Sequence, residues 1–434
     1  MKIKGLRWYI ITLIGIATVI NYIDRSAINI MWPYIYKDFG IAEADSKNAL
    51  ALITTFFMIA YALGQTFTGK LMDAVGTRLG MTLSIMGWSI SIALHALART
   101  ILSFNIFRFF LGFFEAGNWP GATKSNAEWF PAKERAIAQG IFGAGASLGS
   151  VISAPIIAGL YIAFGWKATF ILIGALGVIW VIPWLVVNKA NPEKHPWLTE
   201  AERAHILAKP QSNNDARPVE EAPPLTWRQL LAVKNTWGII GSRFFIDPVW
   251  WMFVTWLPTF LKEQFAFDIK QIGAFAWVPF LFAAIGSLAG GFFSSRQIRK
   301  GIAAHKARKN AITVGSVIML ASLIVIVWQL SGLKDSPMLA MILIGLTLFG
   351  FQFLINNIQT LPSDYFHGKN VGVVSGMGGT AAVLGTLITI WLVPVVTKTS
   401  YHTFFLMAAI LVPLAWITIK YVTSKNKTLN TASL

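Results

Sequence analysis

The sequence contains no cysteine, which excludes disulfides, thiol catalysis and cysteine-ligated metals. Charge is scarce: Asp, Glu, Lys and Arg make up 13% of the 434 residues, against about 25% in ordinary soluble domains. Six scattered histidines show no metal-ligand spacing, and the Gly69-Lys70 pair lacks the surrounding spacing of a phosphate-binding loop. No metal or organic cofactor is expected. What remains is apolar. Hydrophobic residues form 55% of the chain, in recurrent runs long enough to cross ~30 Å of hydrocarbon, so this is a polytopic helical membrane protein. A net charge of +17 would point to nucleic acid in a soluble chain; here the basic residues flank apolar spans, and no nucleic-acid partner is expected.

Twelve apolar segments can be placed: 8–30, 48–69, 79–98, 102–120, 136–160, 167–188, 236–261, 271–294, 310–331, 337–360, 371–394 and 402–422. The one long polar stretch, 189–235, has the Pro, Asn and charge content of a linker with one short surface helix. The chain is therefore expected to divide into a six-helix bundle over 1–188, a cytoplasmic linker over 189–235 and a second six-helix bundle over 236–434. The opening "MKIKGLRWYIITLIGIATVI" resembles a signal peptide, but it runs straight into Asp24-Arg25 without a small-residue cleavage site and reads as a retained first span. With both termini in the cytoplasm, that side carries 25 of the 36 Lys and Arg and the opposite side 8. The positive-inside rule selects that orientation.

Away from the span edges, three basic residues are left inside the spans, Arg25, Arg108 and Arg243, and three acids, Asp24, Glu115 and Asp247. An ionisable group at the bilayer centre costs at least ~2.5–3.5 kcal/mol, so these six are the first place to look for chemistry. In "RFFLGFFEAGNWP", Arg108 and Glu115 are separated by close to two helical turns and share a face, with Gly112 between them. Arg243 and Asp247, in "SRFFIDPVWW", are one turn apart and can touch. Asp24 and Arg25 are neighbours about 100° apart around their helix, so they face different partners.

Two readings stand for this set. The charges can pair simply to hold helices together, and an arginine such as Arg108 can cap carbonyls of neighbouring helices. Alternatively, the arginine fork captures a carboxylate while a buried acid takes up and releases a proton. Three arginines and three ionised acids sum to zero. An anionic substrate would leave one uncompensated negative charge in low dielectric, and protonation of one acid would restore neutrality. Obligatory coupling of anion entry to proton uptake is the resulting expectation.

The loop "GKLMDAVGTRLG" resembles the signature of the major facilitator superfamily, with Gly69, Leu71, Asp73, Gly76 and Arg78 in place and Ala74 and Thr77 where basic residues usually stand. A decayed copy, "GGFFSSRQIRKG", follows the eighth span. "NYIDR", "RFFLGFFEA", "AEWFPAKERA", "AFAWVPF" and "RFFIDPVW" resemble the anion:cation symporter family within that superfamily, and above all its bacterial hexuronate transporters. The resemblance covers about 10–425 of the sequence. It implies an all-α membrane protein with twelve transmembrane helices in two pseudo-symmetric halves, working by alternating access with both ligands near the midplane. It also implies that Arg25 binds the substrate carboxylate beside Tyr22 and Tyr61, that Asp24 and Glu115 are protonation sites, and that Gly69, Asp73, Gly76 and Arg78 form a cytoplasmic gate motif. Galactonate relatives carry a glutamine in the fifth span where this chain has Ala146, in "GASLG". That departure counts against galactonate and is compatible with a hexuronate.

Sugars are read by amide hydrogen bonds and by aromatic faces. Gln352, Asn356 and Gln359 fall at helical spacing in "FGFQFLINNIQTLPSDYF", with Asn357 adjacent, and amides in a span point to partners or to a wet cavity. Gln65 lies one turn from Tyr61, and Trp277 and Trp250-Trp251 are candidates for sugar stacking. Arg243 joins the expected substrate residues; Arg108 and Asp247 join the expected proton-coupling set. Gly-rich stretches in the fifth and eleventh spans supply close helix contacts.

The expected function is proton-coupled symport of a hexuronate, galacturonate or glucuronate, into a bacterium across its inner membrane, by a monomer and without enzymatic activity. Another organic anion (an aldonate, an aldarate or sialic acid) is the alternative substrate. A channel would need a pore or filter that the sequence does not show, and an intramembrane enzyme would need catalytic groups in larger loops.

Overall fold

The computed structural model describes residues 2–131, 134–207, 225–330, 332, 336–366, 369–398 and 400–423. Among them there is no β-strand, only a single bridge between Ile3 and Leu198. The described residues contain fourteen α-helices: α1 Leu6–Ile35, α2 Ser46–Leu94, α3 Ile101–Glu115, α4 Asn118–Trp129, α5 Arg135–Val187, α6 Glu200–Leu207 and α7 Trp227–Ala232, then α8 Lys234–Phe265, α9 Ile269–Phe275, α10 Val278–Arg299, α11 Ala304–Gln329, α12 Pro337–Tyr365, α13 Lys369–Val396 and α14 His402–Ile417.

Twelve crossings follow from these helices. Ten described helical stretches are long and apolar enough to span a membrane. One of them, within α5, is really two, because Gly165 (φ 75°) breaks it; Gly76 (φ 78°) likewise bends α2 between the second and third crossings. At both points the left-handed backbone needs a residue without Cβ. The remaining crossing is the α3–α4 pair, in which Ala116-Gly117 interrupts two helices each too short alone. A Thr100–Ser103 capping box starts α3, and an Asp268–Gln271 box starts α9. The helices overrun their apolar cores. α11 begins at Ala304 and α12 ends at Tyr365, which brings Arg308 and Asp364 into helical structure beyond the expected span edges.

Contacts divide the chain into two units. The first comprises the described residues up to 207 together with Phe267–Trp277; the second comprises 225–266 and Val278 onward. The polar stretch 189–235 is thus shared out: its beginning belongs to the first unit, its end to the second, and 208–224 lies outside the described residues. Two short helices, α6 and α7, stand in this stretch where one was expected.

In the first unit α1 packs along α5 and α2 along α3. Glycine sets the second crossing, since a methyl on Gly112 would strike the Phe57 carbonyl and one on Gly64 the Phe113 carbonyl. In the second unit α10 packs along α12 and α8 along α13. There Gly286 and Gly290 lie against the carbonyls of Phe349 and Phe353. Of the fifth-span glycines, Gly145 and Gly149 lie against α1; of those in the eleventh, Gly378 and Gly385 lie against α8. The first two contacts fall within the first unit and the last two within the second.

Candidate functional site

The close α2–α3 crossing brings the far part of α1 against the same helices, and the charges meet there. Asp24 and Glu115 are fully buried, Arg108 is 3% exposed and Arg25 8%. Arg25 reaches from α1 to the end of α3, its Nε donating to Glu115 Oε2 at 2.6 Å. Arg108 Nη2 donates to the backbone carbonyl of Arg25 at 3.2 Å, so Arg108 caps a carbonyl of α1. Aromatic faces complete the enclosure. The Arg25 guanidinium carbon lies 4.6 Å from the Tyr61 ring centre, 5.4 Å from Tyr22 and 5.5 Å from Phe57, and that of Arg108 lies 4.8 Å from Phe57. Each such contact is worth ~2 kcal/mol where it is desolvated.

Hydrogen-bonding capacity is left over in this cluster. Neither carboxylate oxygen of Asp24 meets a protein donor, and Arg25 Nη2 and Arg108 Nε and Nη1 meet no protein acceptor. Buried polar atoms without partners are uncommon in folded proteins. Here, with Glu115 Oε1, they gather on two arginines and two acids, which gives the cluster the means to accept an anion and a proton.

The second unit holds its charges differently. Arg243 and Asp247 pair across one turn of α8, Nε to Oδ2 at 2.5 Å and Nη2 to Oδ1 at 2.9 Å. Arg243 also lines a pocket of about 260 Å³ with Ile239, Ile358, Gln359, Pro362 and Ser375. Of the amides on α12, Asn356 donates to Ser287 Oγ at 2.7 Å. Asn357 donates to the carbonyls of Phe353 and Gly290 and accepts from Arg308, so it ties α12 to α10 and α11. Gln352 is half-buried and Gln359 exposed. Trp250 stacks on Phe351 at 5.3 Å and meets Phe280 edge-on, within an aromatic cluster.

Trp277 sits at the break between α9 and α10, in the first unit, with its ring half-buried and its indole N–H donated to the Ala274 carbonyl at 2.8 Å. Gln65 is exposed. In the loop motif, Asp73 pairs with Lys124 of α4 at 2.7 Å, and Lys124 also holds the Met72 carbonyl. Thr77 donates to Glu128 at 2.6 Å, Arg78 Nη2 reaches the Leu185 carbonyl, and Trp184 donates to the carbonyl of Arg78. Gly76 provides the turn, while Gly69 has open space where a Cβ would stand.

Sequence reading missed Phe57, the ring under both arginines; a phenylalanine in an apolar run carries no mark. It also missed Lys124 and the Arg308–Asp364 pair, 3.5 Å apart. Those two charges stood just outside the apolar segments, and only the overrun of the helices signals them.

The sequence profile described as "Major Facilitator Superfamily" matches residues 14–390. The chain belongs to the major facilitator superfamily. It is 32% identical over 388 residues to the "Hexuronate transporter" of Escherichia coli (strain K12), covering 89% of this chain and 87% of that one. It is also 32% identical over 320 residues to the "Galacturonate transporter" of Dickeya chrysanthemi, covering 74% and 90%. A bacterial homologue of the human lysosomal transporter Spinster, solved in an inward-facing, occupied conformation, superposes with a TM-score of 0.69 at 16% identity, over 97% of both chains. That last likeness concerns the fold. Membership of the superfamily makes this protein a membrane transporter rather than an enzyme.

Proposed function

We propose that this protein is a proton-coupled symporter that imports a hexuronate by alternating access across a bacterial inner membrane, as a monomer with both termini cytoplasmic. The substrate class rests on the two relatives whose names specify hexuronate and galacturonate. The coupling rests on one observation, the ion pair between Arg25 and Glu115 at 2.6 Å, with Asp24 buried beside it.

With Glu115 ionised, the Arg25 Nε is occupied and an incoming carboxylate competes with a covalently tethered one. A proton on Glu115 removes the competing charge and releases the guanidinium fork to the sugar acid. The proton and the anion then enter together, and the sum of buried charge is the same before and after. Asp24, with no donor on either oxygen, is the second proton acceptor in this scheme. Tyr22 and Tyr61, whose rings flank Arg25, border the carboxylate end of the substrate, and Trp277 offers a ring face to the sugar.

The test uses purified protein in liposomes. Glu115→Gln, which fixes the protonated shape, should keep galacturonate counterflow while losing accumulation driven by an inward proton gradient. Normal gradient-driven accumulation by that variant would remove Glu115 from the coupling scheme. Competition of labelled galacturonate by aldonates, aldarates and sialic acid fixes the substrate, with hexuronates expected to compete best.

A further inference from the structure

The first unit carries an apolar groove at the level where its chain leaves the membrane. Trp8, Tyr9, Thr12 and Leu13 of α1 and Val187 at the end of α5 line a cavity of about 300 Å³. Trp8 and Thr12, and likewise Tyr9 and Leu13, are one turn apart, so the four form two rows on one side of α1. The walls are fixed: the Trp8 ring meets Phe130 edge-on at 5.0 Å, and the Trp180 indole donates to the Leu13 carbonyl at 2.8 Å. Tyr9 is 59% exposed, in the manner of aromatic residues at a membrane–water boundary. α5 ends at Val187, and polar sequence begins with Asn188.

Positive charge gathers at that polar end. The acids there already have partners. Glu202 accepts from Arg7 and three backbone N–H groups, Glu134 from Arg7 and His205, and Glu200 pairs with Lys2 and Arg203. Exposed Glu193 offsets exposed Lys194 beside it. Lys4, four residues before Trp8, and Lys189, two after Val187, are both exposed and meet no acid among the described residues. The Lys189 ammonium is steadied 4.1 Å from the centre of the Trp197 ring.

We propose that this groove binds an anionic phospholipid: one acyl chain lies between α1 and the end of α5, and the phosphate meets Lys4 and Lys189. The apolar slot suits the chain and the two unanswered ammonium groups suit the anion. A sugar acid would find few hydrogen-bonding groups on these walls. A helix, about 10–12 Å across with its side chains, is too wide for the slot. With both termini in the cytoplasm, the lipid belongs to the inner leaflet. The site is independent of what the protein carries.

Photolabelling in detergent tests this. Phosphatidylglycerol with a diazirine on its acyl chain is irradiated with the purified protein, in parallel with phosphatidylcholine bearing the same probe, and the labelled peptides are mapped. Phosphatidylglycerol should label residues 8–13 at least about fivefold more than phosphatidylcholine, the worth of one lysine beside an anionic lipid. Replacing both lysines, Lys4→Ser with Lys189→Ser, touches only exposed side chains and should bring the two lipids level. Val187→Trp fills the slot and should remove the label from 8–13 for both lipids. Equal labelling by the two lipids in the wild type, labels spread evenly over the exposed spans, or a phosphatidylglycerol preference that survives loss of both lysines overturns the proposal.

Discussion

In the first unit Arg25 crosses from α1 to Glu115 on α3, so its ion pair depends on two helices keeping their places. In the second, Arg243 turns back along α8 to Asp247, and its pair depends on one helix alone. The first arrangement leaves nitrogens and oxygens without protein partners; the second fills the carboxylate-shaped edge of its arginine. A pair made between helices can be reset by a proton or by a small shift of either helix. A pair made within one turn cannot be undone so easily. The comparison assigns a pair that can be reset to the first unit and a fixed one to the second.

The most damaging way to challenge that assignment is to delete one pair at a time. Arg25→Ala removes the carboxylate's partner and leaves Glu115 buried and alone. Losing one member of a buried charge pair costs about 2–5 kcal/mol, so galacturonate exchange should fall roughly 100-fold or more. Replacing both Arg243 and Asp247 by leucine removes charge from both sides at once, a change that is often close to neutral for stability. That double variant should fold and exchange galacturonate within about tenfold of the wild type. Equal losses from the two experiments would erase the asymmetry.

Much of this asymmetry is written in the chain. The four-residue spacing of Arg243 and Asp247 shows that they can meet, because a helix fixes its own i, i+4 neighbours. The seven-residue spacing of Arg108 and Glu115 shows only that they share a face. That Arg25 is the partner of Glu115 depends on how α1 lies against α3, and no local pattern encodes the meeting of side chains 90 residues apart. Span positions were legible from hydropathy, whereas helix ends were not, since α11 and α12 continue into polar sequence once Arg308 and Asp364 have each other. Asn357 was legible as an inward amide; its use in tying three helices together was not.

A subtler comparison concerns the crossings that hold each unit. Gly112 against Phe57 and Gly290 against Phe353 are the same device, a glycine laid on the carbonyl of a phenylalanine in the neighbouring helix. Alanine at either place must push two backbones apart, and overpacking of this kind costs about 1–3 kcal/mol. Both variants should lower the thermal midpoint in detergent by similar amounts. Gly112→Ala should in addition weaken galacturonate binding, because it moves the ring beneath Arg25 and Arg108. If only Gly290→Ala affects binding, the first unit is not where the anion is held.

The smallest effects concern what is attached to each unit's first helix. In the first unit Glu202 of α6, only 6% exposed, accepts from the backbone N–H groups of Gly5, Leu6 and Arg7 and from the Arg7 guanidinium. Arg7 also donates to Glu134 at 3.0 Å, and Glu134 meets His205 at 2.8 Å. Burial pushes the Glu134 carboxyl up, but the hydrogen bonds and charges of His205 and Arg7 outweigh it and hold the group below the usual glutamate range. The start of α1 is thus capped from outside, by a carboxylate supplied from the chain that leaves the bundle. In the second unit the corresponding segment makes neutral bonds: Leu225 N–H donates to Asn370 Oδ1 at 2.9 Å, and the Leu231 carbonyl accepts from the Trp237 indole at 2.8 Å. Glu202→Ala should cost about 1–2 kcal/mol, the usual worth of a helix cap with an added charged partner, and Asn370→Ala about 0.5–1 kcal/mol. Thermal unfolding of the two variants measures the difference. A larger loss from Asn370→Ala would mean that the second unit, not the first, is the one whose leading helix is fastened by the intervening chain.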